Sequence, residues 1–239
     1  MIICLCATRN MYAQLQAMIV MLVNTQPELE HIYAFVEHDF ENQEDSMVTF
    51  INVANYAPIR MNGVNQGGGW SYMSMMRCYF TDLLPDVSKV IYLDLDIMIE
   101  KDISELWHMD LQGHEIAGVV DTYVGVFNYS YIKHPTLYIN SGSIVMDLDL
   151  IRKNGTDIKM HDLLTTWPLK MPDQDAINLC CSILYIDCKW NSSDATKISN
   201  DPMINHVIRA KPWNPNSVWF PKWVKNYAKT NGKLCVEPY

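Results

Sequence analysis

"KVIYLDLDIMIEKD", residues 89–102, is the most apolar run of the chain, and it carries Asp94 and Asp96 two residues apart. Val90, Ile91, Tyr92, Leu93, Leu95, Ile97, Met98 and Ile99 read as one strand buried on both faces, as in the centre of a parallel sheet. Unpaired carboxylates are strongly disfavoured inside such a strand. The pair therefore belongs near its carboxyl end, where open α/β sheets bind ligands. Two side chains at i and i+2 share a face, roughly 7 Å apart. They repel unless a cation lies between them, and hard cations with oxygen ligands are the natural partner. Two aspartates capping turns at a strand end account for a lone D-x-D equally well.

Working outward, strand-like and helix-like segments alternate. Strands are expected over 2–8, 31–37, 47–53, 115–121, 143–148, 183–187 and 203–209. Helices are expected after Asn10 as a cap, through Tyr72–Phe80, and over 148–153, 157–167, 173–181 and 218–229, with a short helical turn at 103–106. GGGW (67–70) is a flexible break that could serve as a lid, and Ser141-Gly142 suits a tight loop before the strand at 143. The alternation predicts an α/β, Rossmann-like single domain with a mostly parallel central sheet and a C-terminal helical extension. The expected division is 1–213 for the main domain and 214–239 for an aromatic and basic extension packed on it.

Composition narrows the function classes. The chain has 239 residues and a formal charge of −9, yet 207–236 holds six Lys and Arg and no acidic residue, so the rest carries −9 − 6 = −15. An acidic body argues against a nucleic-acid groove. No stretch is long and apolar enough to cross a membrane, and the N-terminus reads as a core strand, so a cytoplasmic protein is the expectation. The seven cysteines are odd in number and several sit in apolar runs, as reduced structural thiols do. The sequons at Asn128, Asn154 and Asn191 carry no weight in that setting. In the tail, Trp219, Trp223 and Tyr227 recur at helical spacing beside Lys222, Lys225 and Lys229. Packing on the core is the expectation for that stripe, with peripheral membrane contact the alternative.

YLDLDIMIEKDISELW, YINSGSIVMDLDLIR, PDQDAIN and H…KPW follow in this order. Together they resemble glycosyltransferase family 8, which includes glycogenin and the lipopolysaccharide glucosyl- and galactosyltransferases. The resemblance runs from the first strand to about Trp213. It implies a GT-A fold, Mn²⁺ or Mg²⁺ as cofactor, a UDP-hexose donor (glucose or galactose) and transfer with retention of anomeric configuration. The acceptor would be a glycan, a lipid-linked species or a protein.

Carried across position by position, the resemblance makes Asp94, Asp96 and His206 the metal ligands. Asn140, Asp173 and Gln174 become the residues around the transferred sugar, with catalytic roles. Donor binding falls to Ala7, Thr8 and Tyr12 on the base side, and to Arg77, Asp94, Leu95, Asp121, Asn140, Ser141 and Lys211. The chemistry of an Asp/Asp/His set agrees, the imidazole tilting preference towards Mn²⁺. An arginine in so apolar a helix as SYMSMMR also needs a partner.

Two positions depart from the family pattern. Arg9 stands where many members have a base-binding aspartate, and HVIRAKPW lacks the usual glycine and is one residue shorter. Two other readings remain open. One is a self-glycosylating or non-catalytic nucleotide-sugar binder, with Tyr123, Tyr129 and Tyr131 among its tyrosines. The other is a metal-dependent phosphohydrolase or nucleotidyltransferase, which does not call for N-S-G or D-Q-D.

Overall fold

A computed structural model describes residues 1–40, 46–56, 64–65, 71–122 and 137–230. The GGGW break, Tyr123, Tyr129, Tyr131 and Cys235 lie outside these residues. A seven-stranded sheet in the order β3-β2-β1-β4-β7-β6-β8 is built from β1 (Ile2–Cys6), β2 (His31–Val36), β3 (Val48–Asn52), β4 (Lys89–Leu93), β6 (Ile116–Val120), β7 (Ile139–Asp147) and β8 (Ile183–Tyr185). β5 (Ile97–Ile99) and β9 (Ile204–His206) form a separate antiparallel ribbon. β7 pairs antiparallel with both neighbours while every other pairing in the main sheet is parallel. Six strands therefore run one way and β7 the other, which is the mixed α/β arrangement of the GT-A fold.

Alternation along the strands divides the core. Ile3, Leu5, Ile91 and Leu93 join one apolar cluster, with Leu15 and Leu22 of helix α1 (Tyr12–Thr25). Cys4, Val90, Tyr92 and Ile144 join the other, with Phe35, Met76 and Phe80. Period-two side chains on a sheet covered on both faces require this division. The second face is covered by α2 (Tyr72–Met75), a 3-10 turn (Met76–Tyr79) and α3 (Phe80–Leu83), and by α5 (Leu148–Asn154), α6 (Thr156–Thr166) and α7 (Pro172–Cys180). A short α4 (Ser104–Trp107) follows β5, and α8 (Phe220–Ala228) lies on α1. Trp219 and Trp223, at the start of and within α8, pack against the first cluster. Cys4, Cys6, Cys78, Cys180, Cys181 and Cys188 are free thiols. Among the described residues no helix is long and apolar enough to cross a membrane.

Several local expectations are corrected. The run 90–99 is two strands, since the chain leaves the sheet at Asp94 and turns through Leu95 and Asp96 into the β5–β9 ribbon. Hydropathy stays high across the break because β5 is fully buried as well. Asn10 does not cap α1: it sits in a 3-10 turn, Arg9–Met11, that leads into the helix. The expected helix through Tyr72–Phe80 is a succession of short turns. Asn140, Ser141 and Gly142 are in strand β7 and not in a loop before it.

Candidate active site

Four backbone elements converge at the carboxyl end of β4. Asp94 N–H donates to the Gly142 carbonyl at 2.8 Å, closing β4 onto β7. The ribbon sets Ile97 opposite His206, and Val207 N–H donates to the Asp96 carbonyl at 3.0 Å. Gly142 permits this approach. A Cβ there would stand 2.2 Å from His206 Cε1 and 2.7 Å from Asp94 Oδ2, so any side chain would fill the space between the two.

Each aspartate divides its oxygens. Asp94 Oδ1 accepts from Arg77 Nη2 at 2.8 Å and from the Tyr92 hydroxyl at 2.6 Å, while Oδ2 lies 3.8 Å from His206 Nε2. Asp96 Oδ2 pairs with the Lys211 ammonium, and Oδ1 lies 3.2 Å from His206 Nε2. One ligand atom from each of Asp94, Asp96 and His206 falls within 4.8 Å of the others. Two carboxylates and an imidazole, held at that spacing around the cradle left by Gly142, fit a divalent cation. Arg77 and Lys211 balance the charge of the two aspartates. Burial opposes ionisation of Asp96, but His206 and Lys211 hold its carboxyl well below the usual carboxylate range. Burial likewise disfavours the His206 imidazolium, and Asp96 beside it still raises the pKa.

Arg77, 3% exposed, organises the opposite wall. Its Nε lies 3.2 Å from Asp173 Oδ2, and Nη1 donates to the Ser141 carbonyl at 2.7 Å and to Ser141 Oγ at 3.1 Å. The guanidinium also lies over the Tyr92 ring, 3.9 Å from its centre. Ser141 Oγ donates to Asp173 Oδ2 at 3.0 Å, and Ser141 N–H donates to Gln174 Oε1 at 2.9 Å. Asp121 Oδ2 accepts from Asn140 Nδ2 and from Gln174 Nε2, each at 3.2 Å. Burial raises the Asp173 pKa, with Arg77 pulling the other way.

Two cavities abut here. One of about 420 Å³ is lined by Asp121, Asn140, Ser141, Asp173, Gln174 and His206 among others. One of about 220 Å³ is lined by Thr8, Met11, Tyr92, Leu95 and Trp213 among others. Ser74, Arg77, Asp94, Asp96 and Lys211 border both, so the cation cluster sits at their junction.

The structure thus brings together Thr8, Arg77, Asp94, Leu95, Asp96, Asp121, Asn140, Ser141, Asp173, Gln174, His206 and Lys211. Ala7 and Tyr12 do not line either cavity. Ala7 N–H is taken by the Phe35 carbonyl. Tyr12 is buried edge-on to Phe40 at 5.3 Å, and its hydroxyl accepts from Glu37 N–H at 2.9 Å. Met11 and Trp213 form the wall in their place. Sequence reasoning also passed over Tyr92 and Asn191. In sequence, Tyr92 reads as one more apolar strand residue and Asn191 as a sequon.

The family model for glycosyl transferase family 8 matches residues 10–216. General stress protein A of Bacillus subtilis is 26% identical over 175 residues, covering 59% of this chain and 59% of that protein. "Probable galacturonosyltransferase 13" of Arabidopsis thaliana is 27% identical over 205 residues, covering 69% of this chain and 38% of that protein. The chain thus spans less than two thirds of the length of these curated relatives. Among solved structures, the galactosyltransferase LgtC in complex with donor and acceptor sugar analogues aligns over 96% of both chains, at 17% identity and a TM-score of 0.67. An active-site mutant of LgtC aligns with a TM-score of 0.71 over the same share of both chains. That likeness is one of fold. With the family match covering most of its length, the chain belongs to glycosyl transferase family 8.

Proposed function

We propose that this protein is a retaining glycosyltransferase that moves a hexose from a UDP-sugar to the hydroxyl of a glycan, lipid-linked or protein acceptor. The observation that carries the reading is the position of Asp94, Asp96 and His206 at the junction of two abutting cavities. The smaller cavity suits the nucleoside, with Thr8, Met11 and Trp213 on its walls, and the larger suits the sugar. In this reading residues 1–213 bind donor and cation, and 214–239 is an extension outside that site.

Asp94, Asp96 and His206 would hold Mn²⁺ or Mg²⁺, which when bound supplies Lewis-acid neutralisation of the diphosphate leaving group. Arg77 and Lys211 border both cavities and present fixed positive charge to anionic oxygens crossing the junction. Asn140, Asp121 and Gln174 turn amide and carboxylate groups towards the larger cavity, the chemistry that grips sugar hydroxyls. The carboxylates there are engaged: Asp173 with Arg77 and Ser141, Asp121 with Asn140 and Gln174. This supports attack by the acceptor on the face the leaving group vacates, over a double displacement through an enzyme carboxylate. The acceptor proton then passes to the departing phosphate.

A panel of nucleotide sugars with Mn²⁺, scored by thermal shift and donor hydrolysis, tests the reading. A UDP-hexose should raise the melting temperature and be slowly hydrolysed, and Asp96→Asn should lose both effects. Absence of a shift with every UDP-sugar, or full transfer by Asp96→Asn at saturating Mn²⁺, overturns it.

A further inference from the structure

We propose that Asn191 is a positioning residue that fixes which nitrogen of His206 faces the cation site and ties that site to the sugar side of the pocket. The proposal rests on reading Asp94, Asp96 and His206 as cation ligands. Asn191 follows the 3-10 turn Cys188–Trp190 and is fully buried, which removes it from use as a glycosylation sequon in the folded protein. Its Oδ1 lies 3.0 Å from His206 Nδ1, and its Nδ2 donates to Asn140 Oδ1 at 2.9 Å.

The shape of an amide does not distinguish its oxygen from its nitrogen, so polarity has to come from the network. Here it is set at two anchors. Asn140 Oδ1 receives the Gly142 main-chain N–H at 3.1 Å, and a main-chain N–H cannot accept. Asn140 Nδ2 faces Asp121 Oδ2 at 3.2 Å, and a carboxylate cannot donate. Asn140 therefore has one orientation. Asn191 must offer it Nδ2, which leaves Oδ1 for His206. His206 must then carry a hydrogen on Nδ1.

Nε2 is left as the nitrogen that faces the carboxylates, 3.2 Å from Asp96 Oδ1 and 3.8 Å from Asp94 Oδ2. A ligating imidazole whose other N–H is held by a partner is oriented and locked in one tautomer. The polarity continues in the other direction. Asp121 Oδ2 also accepts from Gln174 Nε2, and Gln174 Oε1 accepts from Ser141 N–H. One unbroken run of hydrogen bonds thus joins the proposed cation ligand to the residues lining the sugar cavity, and Asn191 is the link between them.

Two substitutions separate its contacts. Asn191→Ala removes both. Asn191→Asp keeps an acceptor for His206 but loses the donor to Asn140 and sets a carboxylate against Asn140 Oδ1. The full chain would be compared in three forms by long-range ¹H–¹⁵N NMR of the His206 ring, assigned with His206→Gln. Calorimetric titration with Mn²⁺ alone and hydrolysis of UDP-glucose and UDP-galactose complete the set, with thermal unfolding to verify folding.

Wild type should show a hydrogen on Nδ1 held by Asn191, and Asn191→Ala a lower occupancy of that position. Asn191→Ala should bind Mn²⁺ about 10–100-fold more weakly. Asn191→Asp should stay within about threefold of wild type for Mn²⁺, since the partner of Nδ1 remains, yet lose donor hydrolysis. A wild-type ring without a hydrogen on Nδ1 overturns the proposal. So does undiminished Mn²⁺ binding by Asn191→Ala, or equal Mn²⁺ loss in folded Asn191→Asp. If wild type binds no Mn²⁺, the cation reading of the site fails and the tautomer alone decides the role of Asn191. If Asn191→Ala does not fold, Asn191→Asp and the wild-type tautomer carry the test.

Discussion

Gly142 lies so close beneath His206 that a Cβ on it would stand 2.2 Å from the imidazole Cε1 and 2.8 Å from Nδ1. Gly142→Ala is therefore expected to push the ring away from Asp94 and Asp96. The overpacking should cost about 1–3 kcal/mol of stability. The larger effect should be on Mn²⁺ binding, with affinity falling at least tenfold in calorimetric titration while urea denaturation shows a protein that still folds cooperatively.

Arg77 is tied to Asp94, Asp173 and Ser141 at once and is buried. Arg77→Met leaves Asp173 without its cation and should destabilise the fold by about 3–5 kcal/mol, the cost of breaking a buried pair from one side. Arg77→Lys should not restore stability, because one ammonium cannot reproduce contacts made by three guanidinium nitrogens. Urea midpoints of the two variants check both statements.

Lys211 pairs with Asp96 and borders both cavities. Lys211→Ala should move two affinities in opposite directions. Mn²⁺ alone should bind more tightly, since a competing cation is gone, while UDP in the presence of Mn²⁺ should bind at least tenfold more weakly. Titrating each in turn gives the two signs independently.

Glu115 is 2% exposed and accepts hydrogen bonds on both oxygens, from Asn154 and Thr156 on one and from Ser182 on the other. Burial opposes its ionisation, yet these donors hold its pKa below the ordinary carboxylate value. A carboxylate whose pKa is depressed by folding stabilises the native state at pH above its unfolded value, and that contribution disappears as pH falls through the folded one. Glu115→Gln should therefore be less stable than wild type by about 1–3 kcal/mol at pH 7. The gap should narrow as the pH drops below about 4.3. Denaturation curves across that range give the slope.

Trp223 packs on the core and stacks on Tyr227, with ring centres 5.3 Å apart. Trp223→Ala should lower the melting temperature through a loss of about 1–3 kcal/mol, less than for a fully buried ring. Vesicle flotation should be the same for variant and wild type. A variant of unchanged stability that no longer floats with anionic vesicles would make the helix a membrane anchor instead.

The alternation of strands and helices was legible because both cores obey simple periodicities, and the four ordered motifs located the wall residues. What escaped has physical reasons. The break at Asp94 was invisible because β5 beyond it is as buried as β4 before it. Asn-Ser-Gly reads as a turn, yet here polar residues occupy both faces of a strand because both faces border the pocket. Tyr12 carries the family pattern but satisfies its hydroxyl within the fold, beside Glu37 and His38. Asn191 offered no periodic or spacing signal, since its role depends on contacts with residues 51 and 15 positions away.

The reversal of β7 has a consequence for how the pocket tolerates change. Because this strand starts where its neighbours finish, Asn140, Ser141 and Gly142 enter the site as a partition with two sides. Asn140 and Gly142 address Asn191 and His206, and Ser141 between them addresses Arg77 and Asp173. Pairing of Leu93 with Ser143 sets the phase. A slip of a single residue would exchange the two sides, presenting serine to the imidazole and asparagine to the arginine. Insertion or deletion of one residue within 139–143 should thus be far more damaging than any single replacement there, since it mis-addresses every contact of the partition together.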